Sequence, residues 1–302
     1  QMYIGRGIRM TIFLQQLING LSVGSIFALI ALGYTMVYGI IKLINFAHGD
    51  IYMLGAYVGF FASTSWGLGF FPTLIIAMLI CMFTGVLIEK IAYKPLRHAS
   101  RITSLITAIG VSLFMEYAMM YVMGPNIRTY PADFFPKEVY TVAGLQISNH
   151  QIMIFITSIV LMIALQLIVK KTKIGKAMRA VSTDPDAAEL MGINVNHTIS
   201  FTFAIGSALA GAAGVMIGMY YNSIDPLMGM IPGLKAFIAA VFGGIGIIPG
   251  AMLGGEAIGI LETLASGYGF SMVKDAVVYL ILIIILIIKP SGLLGKNVKE
   301  KV

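Results

Sequence analysis

The residues of this sequence able to do chemistry are few, and several lie inside apolar runs. Asn45, His48, Asp50, Glu116, Glu256 and Glu262 are all flanked by hydrophobic stretches. Charge is expensive in hydrocarbon, so such positions mark a polar pathway or a helix end within reach of interfacial water. For Glu116 and Glu262 the helix-end reading is preferred. NFAHGD, residues 45–50, is different, because polar side chains, the glycine Gly49 and two interrupted apolar flanks coincide there. It reads as a helix break able to border a pathway. One His and one Asp two residues apart fall short of a ligand set, so no metal is expected. The four histidines, His48, His98, His150 and His197, are scattered rather than clustered as a membrane enzyme would need. No G-x-x-x-x-G-K-[ST] phosphate loop occurs, so any nucleotide must bind another chain. Neither catalysis nor nucleic-acid binding is expected.

Positioning these residues falls to elements that cross a membrane. Of 302 residues, 58% are hydrophobic and 11% charged, with mean hydropathy +0.91; soluble domains carry roughly a quarter charged residues. Apolar stretches at 74–86, 152–169 and 277–288 extend with their flanks toward the roughly 20 residues a spanning helix needs. LILIIILII, residues 280–288, shows no alternation, which excludes a β-barrel. The expected fold is an all-α polytopic membrane protein forming one domain over residues 1–302, with about eight or nine spans, some broken or half-length. Cys81, the one cysteine, is expected as a buried free thiol. The first apolar segment lacks a cleavage site and reads as a retained span. Residues 1–9, QMYIGRGIR, are set apart as upstream of the fold.

Charge sets the expected sidedness. Lys90, Lys94, Arg97 and Arg101, then Lys170, Lys171, Lys173, Lys176 and Arg179, then Lys289, Lys296, Lys299 and Lys301 hold 13 of the 20 basic residues. The positive-inside rule puts these three regions, and the C-terminus, in the cytoplasm. Residues 124–149 and 222–233 are then outside. Spans at 14–37, 51–65 and 72–91 put the N-terminus outside too, against Arg6 and Arg9, whereas a re-entrant segment around residues 40–49 reverses this; the N-terminal side stays open. Further spans are expected at 198–221, 234–247, 249–265 and 272–288, of which 234–247 and 249–265 are short enough to be half-helices.

Small residues recur every fourth position: Gly20, Gly24 and Ala28; Gly206, Ala210, Gly214 and Gly218; Gly246, Gly250 and Gly254. Such stripes let helices approach closely in lipid, here within one bundle in preference to a dimer face. A glycine-studded helix followed by a Gly-interrupted segment occurs in both halves, from residue 19 and from residue 204. A weak internal repeat and a chance likeness both remain open.

The longest polar interruption is cytoplasmic, residues 170–197. Within STDPDAAELMG, Thr183 or Asp184 can cap a helix, Pro185 suits its first turn, Asp186 and Glu189 favour its N-terminal end, and Gly192 stops it. A rod of about seven residues cannot hold itself and must dock. Ala187, Ala188, Leu190 and Met191 offer a small apolar face, for a partner's groove or for the protein's own membrane domain.

DAAELMG resembles the EAA-x-x-x-G motif of ABC importer permeases, with Asp186 in the Glu position, Ala187 and Ala188 matching and Gly192 at the right spacing; the Ile and Leu-Pro of the longer consensus are absent. ALGYTMVYGIIKLINFAHGDIYMLGAY, GKAMRAVSTDPDAAELMGINVN, LKAFIAAVFGGIGIIPGAMLGG and KPSGLLG extend the resemblance from Met10 to the C-terminus. Together they are similar to the LivH-type permeases of high-affinity branched-chain amino acid ABC transporters. That resemblance implies a subunit of the bacterial inner membrane without catalysis of its own. It implies pairing with a LivM-like permease, two cytoplasmic ATPases that bind ATP and Mg, and an extracytoplasmic protein that delivers Leu, Ile or Val. Asp184, Pro185, Asp186, Ala187, Ala188, Glu189, Leu190, Met191 and Gly192 would then be the coupling helix and its caps. A zwitterionic aliphatic substrate suits a weakly polar passage, for which Asn45, His48, Gly49, Asp50, Gly243, Gly244 and Gly246 are candidates. Similar permeases carry urea, short amides or other amino acids. An ion-coupled secondary transporter would instead use intramembrane carboxylates, but Glu256 and Glu262, six apart, lie on different helix faces.

Overall fold

The apolar runs are helices because only closed backbone hydrogen bonding survives in hydrocarbon. The structure, a computed structural model, describes residues 2–97 and 99–295. Its elements are α1 (Met2–Ile41), α2 (His48–Ser65), α3 (Phe70–Ile88), α4 (Arg101–Met123), a hairpin of β1 (Val139–Val142) and β2 (Leu145–Ser148), α5 (Asn149–Lys171), α6 (Lys173–Thr183), α7 (Pro185–Leu190), α8 (Val195–Tyr221), α9 (Met230–Gly243), α10 (Ile248–Gly267) and α11 (Lys274–Ile288). Among the described residues six helices are long and apolar enough to cross a membrane: Met10–Ile41, Phe70–Leu96, Ile102–Met123, Asn149–Lys171, Val195–Tyr221 and Ser271–Ile288. The chain is thus a mostly helical, polytopic membrane protein. Three shorter or less apolar helices, α2, α9 and α10, pack among them.

α1, α2 and α8 form the interior, with α9 and α10 against α1. Their approach is as close as the small residues permit. Gly55 of α2 faces Gly211 of α8, and a side chain at Gly214 would collide with the Tyr52 carbonyl oxygen. α3, α4, α5 and α11 form the periphery and present Phe83, Ile106, Phe114, Ile163 and Ile287 outward, as helices facing acyl chains must.

The bundle has two distinguishable ends. At one, the Gln15 side chain of α1 exchanges paired 2.8 Å hydrogen bonds with the Gln146 backbone of β2. At the other lie α6, α7 and the turn between α9 and α10. α1 therefore runs from the hairpin end to the α7 end, and α2 rises beside it, parallel to α8. Residues 42–47 turn the chain inside the protein without reversing that order, so the re-entrant alternative does not apply. Residues 2–9, set apart above, continue α1. The side chains of Arg6, Arg9 and Arg101, and residues His98, Lys296, Lys299 and Lys301, lie outside what is described.

Several boundaries depart from expectation for local reasons. The hairpin was not foreseen: VYTV and LQIS pair in register from Val139 opposite Ser148 to Val142 opposite Leu145, closed by Ala143 (φ 52°) and Gly144 (φ 81°), a two-residue turn matched to strand twist. α3 does not stop in the apolar run but continues through a π turn, Glu89–Tyr93, and a 3-10 turn, Lys94–Leu96. Buried Glu89 pairs there with Arg97 and accepts from Ser200 at 2.6 Å. α9 ends at Gly243 rather than 247, since Gly244 (φ 108°) and Gly246 (φ 89°) leave helical space. Residues 170–197 hold two helices, not one; amphipathic α6 buries Gly175, Met178 and Val181. The halves compared above also differ in layout: α2 follows α1 directly, whereas α9 separates α8 from α10.

Candidate functional site

α7 is built as its sequence predicts. Asp184 Oδ1 accepts the Ala187 amide at 3.0 Å, Pro185 occupies the first turn, and the Gly192 (φ 84°) amide donates to the Glu189 carbonyl at 2.9 Å. The Ile193 amide then returns to the Ala188 carbonyl at 3.0 Å, closing the C-terminus in the manner of a Schellman cap. Capping alone cannot stabilise six residues. Docking does: Ala188, 4% exposed, is pressed into the bundle beside α6 and α8.

The apolar face is thereby divided. Ala188 serves the protein's own membrane domain, while Leu190 (88% exposed) and Met191 (82%) project away from it. Asp186, Ala187, Glu189 and Gly192 are exposed as well. Lys170, Lys171, Lys173 and Lys176 are exposed at the same end, and among the described residues no ion pair engages them. α6 connects this end to the helices. Met178, Arg179 and Ser182 share a cavity of about 90 Å³ with Thr35, Gly39 and Gly246, and the Arg179 guanidinium donates to the Val169 carbonyl.

The pathway candidates are not gathered into one site. Asn45 accepts from the Tyr93 hydroxyl at 2.6 Å, beside α8; the His48 ring lies edge-on to Tyr34, 4.8 Å between centroids, and against Gly33; Asp50 accepts from Ser112 of α4 at 2.5 Å. Gly49 lies against Gly229 and Gly233. The break is thus a joint at which α2 meets four neighbours, although Asn45 Nδ2 and His48 Nε2 remain buried without partners. Gly243, Gly244 and Gly246 form the turn at the α7 end. The C-terminal segment covers that turn, with Leu293 and Leu294 amides donating to the Phe242 and Gly243 carbonyls at 2.8 and 3.0 Å.

Two acidic residues differ from expectation. Glu262 and Glu116 are buried rather than reaching water. Glu262 is held by Lys235 of α9 at 2.8 Å and Lys274 at 2.7 Å, and Lys235 also reaches Asp275 at 2.7 Å. Glu116 neighbours Asp50. Glu256 faces α1, accepting from Ser25 at 2.8 Å, so it and Glu262 do point in different directions. Lys235 was missed although it is a single charge in a long apolar stretch, which was the available signal; Glu89 was hidden among the basic residues of the first cluster. Among the described residues no three His, Cys, Asp or Glu are gathered for a metal, and Cys81 is a buried free thiol.

Known proteins resemble this chain in sequence. The chain is 43% identical to the high-affinity branched-chain amino acid transport system permease protein BraD of Pseudomonas aeruginosa, over 96% of this chain and 98% of that one. It is 42% identical to the permease protein LivH of Escherichia coli, with the same coverage. A more distant likeness, 28% over 89% of this chain and 84% of the other, is to the ribose import permease protein RbsC of Haemophilus influenzae. These relatives are permease subunits of transport systems, not enzymes. The family model described as "Branched-chain amino acid transport system / permease component" matches residues 16–286, and the chain belongs to that family.

Proposed function

We propose that this chain is the permease subunit of an ATP-driven importer for branched-chain amino acids and that α7 is its coupling helix. It forms half of the translocation pathway beside a LivM-like permease in the bacterial inner membrane. The α7 end and the C-terminus face the cytoplasm, where two ATPases bind ATP and Mg; the hairpin end faces an extracytoplasmic binding protein. One observation carries the reading: Leu190 and Met191 protrude from a capped, docked helix at the end that also presents Lys170, Lys171, Lys173 and Lys176. Closure of the ATPases would push α7, and α6 would pass the displacement to the turn at Gly246 and to α1 at Gly39, shifting a two-state membrane domain.

The substrate follows from the relatives rather than from a preformed cage. The likeness to a ribose permease supports a scaffold whose specificity rests largely with the binding protein. Uptake of labelled leucine into vesicles carrying the full set of subunits tests the assignment. ATP-dependent uptake that stops when the ATPases are inactivated is expected. Uptake that continues on an ion gradient alone contradicts it.

A further inference from the structure

Two loops at the hairpin end are joined where Arg128 and Ile224 exchange backbone hydrogen bonds, 2.9 Å each way. The seam rests on α2 and α8. Tyr130 donates to the Ala56 carbonyl at 2.7 Å, and the Arg128 guanidinium stands over the Phe60 ring, 5.8 Å from its centroid.

Three polar groups there have unused capacity. Tyr57, 1% exposed, has a hydroxyl without a partner. Arg128 donates from Nη2 to the Met123 carbonyl at 2.6 Å and leaves a buried Nε unpartnered. Asp225, adjacent to Ile224 across the seam from Arg128, accepts the Leu227 amide on Oδ1 at 2.9 Å. No ion pair joins the two charges.

Buried polar atoms in folded proteins are nearly always hydrogen-bonded, and each exception needs a cause. Here the exceptions coincide with a cation and an anion carried on the two bridged loops but not ion-paired, beside Phe60. An aliphatic α-amino acid matches all of these features. We propose that Tyr57, Arg128 and Asp225 form an outer recognition site for the zwitterionic head of such a substrate. Arg128 Nε donates to the carboxylate, and Asp225 and the Tyr57 hydroxyl accept from the ammonium. Because opposite charges are supplied separately, each half of the head group is read by its own residue. The proposal rests on the amino acid transport reading above and specifies where the substrate is first held.

The importer complex in nanodiscs, probed by saturation-transfer NMR with leucine, isocaproate (no ammonium) and isoamylamine (no carboxylate), tests it. Loss of a charge-assisted hydrogen bond weakens binding by about tenfold or more. Arg128→Gln should therefore weaken leucine and isocaproate and leave isoamylamine unchanged, and Asp225→Asn should do the converse. Tyr57→Phe, which removes one oxygen, should weaken leucine and spare isocaproate. Leucine binding that is undetectable in the unsubstituted complex, unchanged in both charge variants, or lost together with both probes overturns the site. Leucine uptake at the unsubstituted rate in both charge variants also overturns the site while leaving the transport reading intact; no uptake by the unsubstituted complex overturns that reading itself.

Discussion

Replacing Leu190 and Met191 by serine should separate folding from coupling. Both side chains project from α7 and are 88% and 82% exposed, so the membrane domain gains almost nothing from them. Burial of a Leu or Met side chain in a partner's groove stabilises the complex by about 1.5–3 kcal/mol. Immobilising each returns about 0.5–1.5 kcal/mol of that. The pair therefore contributes about 2–3 kcal/mol to docking, or about 30- to 150-fold in Kd. The assay is titration of the purified ATPase subunit onto the permease in nanodiscs, with thermal unfolding of the permease followed in parallel. Weakened docking at an unchanged Tm is the expected result. A Kd within about threefold of the original refutes the reasoning, as does a fall in Tm that accounts for the lost binding.

Four further outcomes follow from the packing. Lys235→Met leaves Glu262 with Lys274 alone and frees Asp275; breaking a buried pair costs about 3–5 kcal/mol, seen as a lower Tm in detergent, and Lys235→Met with Glu262→Leu should recover much of it. Gly214→Leu forces a side chain onto the Tyr52 carbonyl, so the protein should lose its monodisperse elution on size exclusion, the cost exceeding the usual overpacking range of about 1–3 kcal/mol. Asp184→Ala removes the cap of α7 at a cost of about 1 kcal/mol, and hydrogen exchange at Ala187 and Ala188 should quicken while α8 stays protected. Truncation after Ile288 uncovers the Phe242 and Gly243 carbonyls, and faster exchange should be confined to residues 240–250.

Legibility varied with how local each signal was. The rod at 185–190 could be read because its cap, proline, acidic first turn and glycine stop are all within ten residues. The six long apolar helices were legible for the same reason, since length and hydropathy need no partner. What could not be read depended on distant residues. Nothing near Glu262 announces Lys235, which approaches from another helix, and nothing in NFAHGD says that Asn45, His48 and Asp50 turn toward separate neighbours. The division of the α7 face, with Ala188 inward and Leu190 outward, likewise depends on how α6 and α8 receive it. The hairpin is the exception, a local signal not used: two short β-favouring runs flank Ala143–Gly144, after the last proline of the loop.

Sidedness and docking of α7 can be read together, because Cys81, the one native cysteine, is fully buried. Met191→Cys would be labelled with a membrane-impermeant maleimide in inside-out and right-side-out vesicles, with and without the ATPase subunits. The account predicts labelling from the cytoplasmic face alone, and protection when the ATPases are bound. Labelling from the outer face, or equal labelling with the ATPases present, contradicts it.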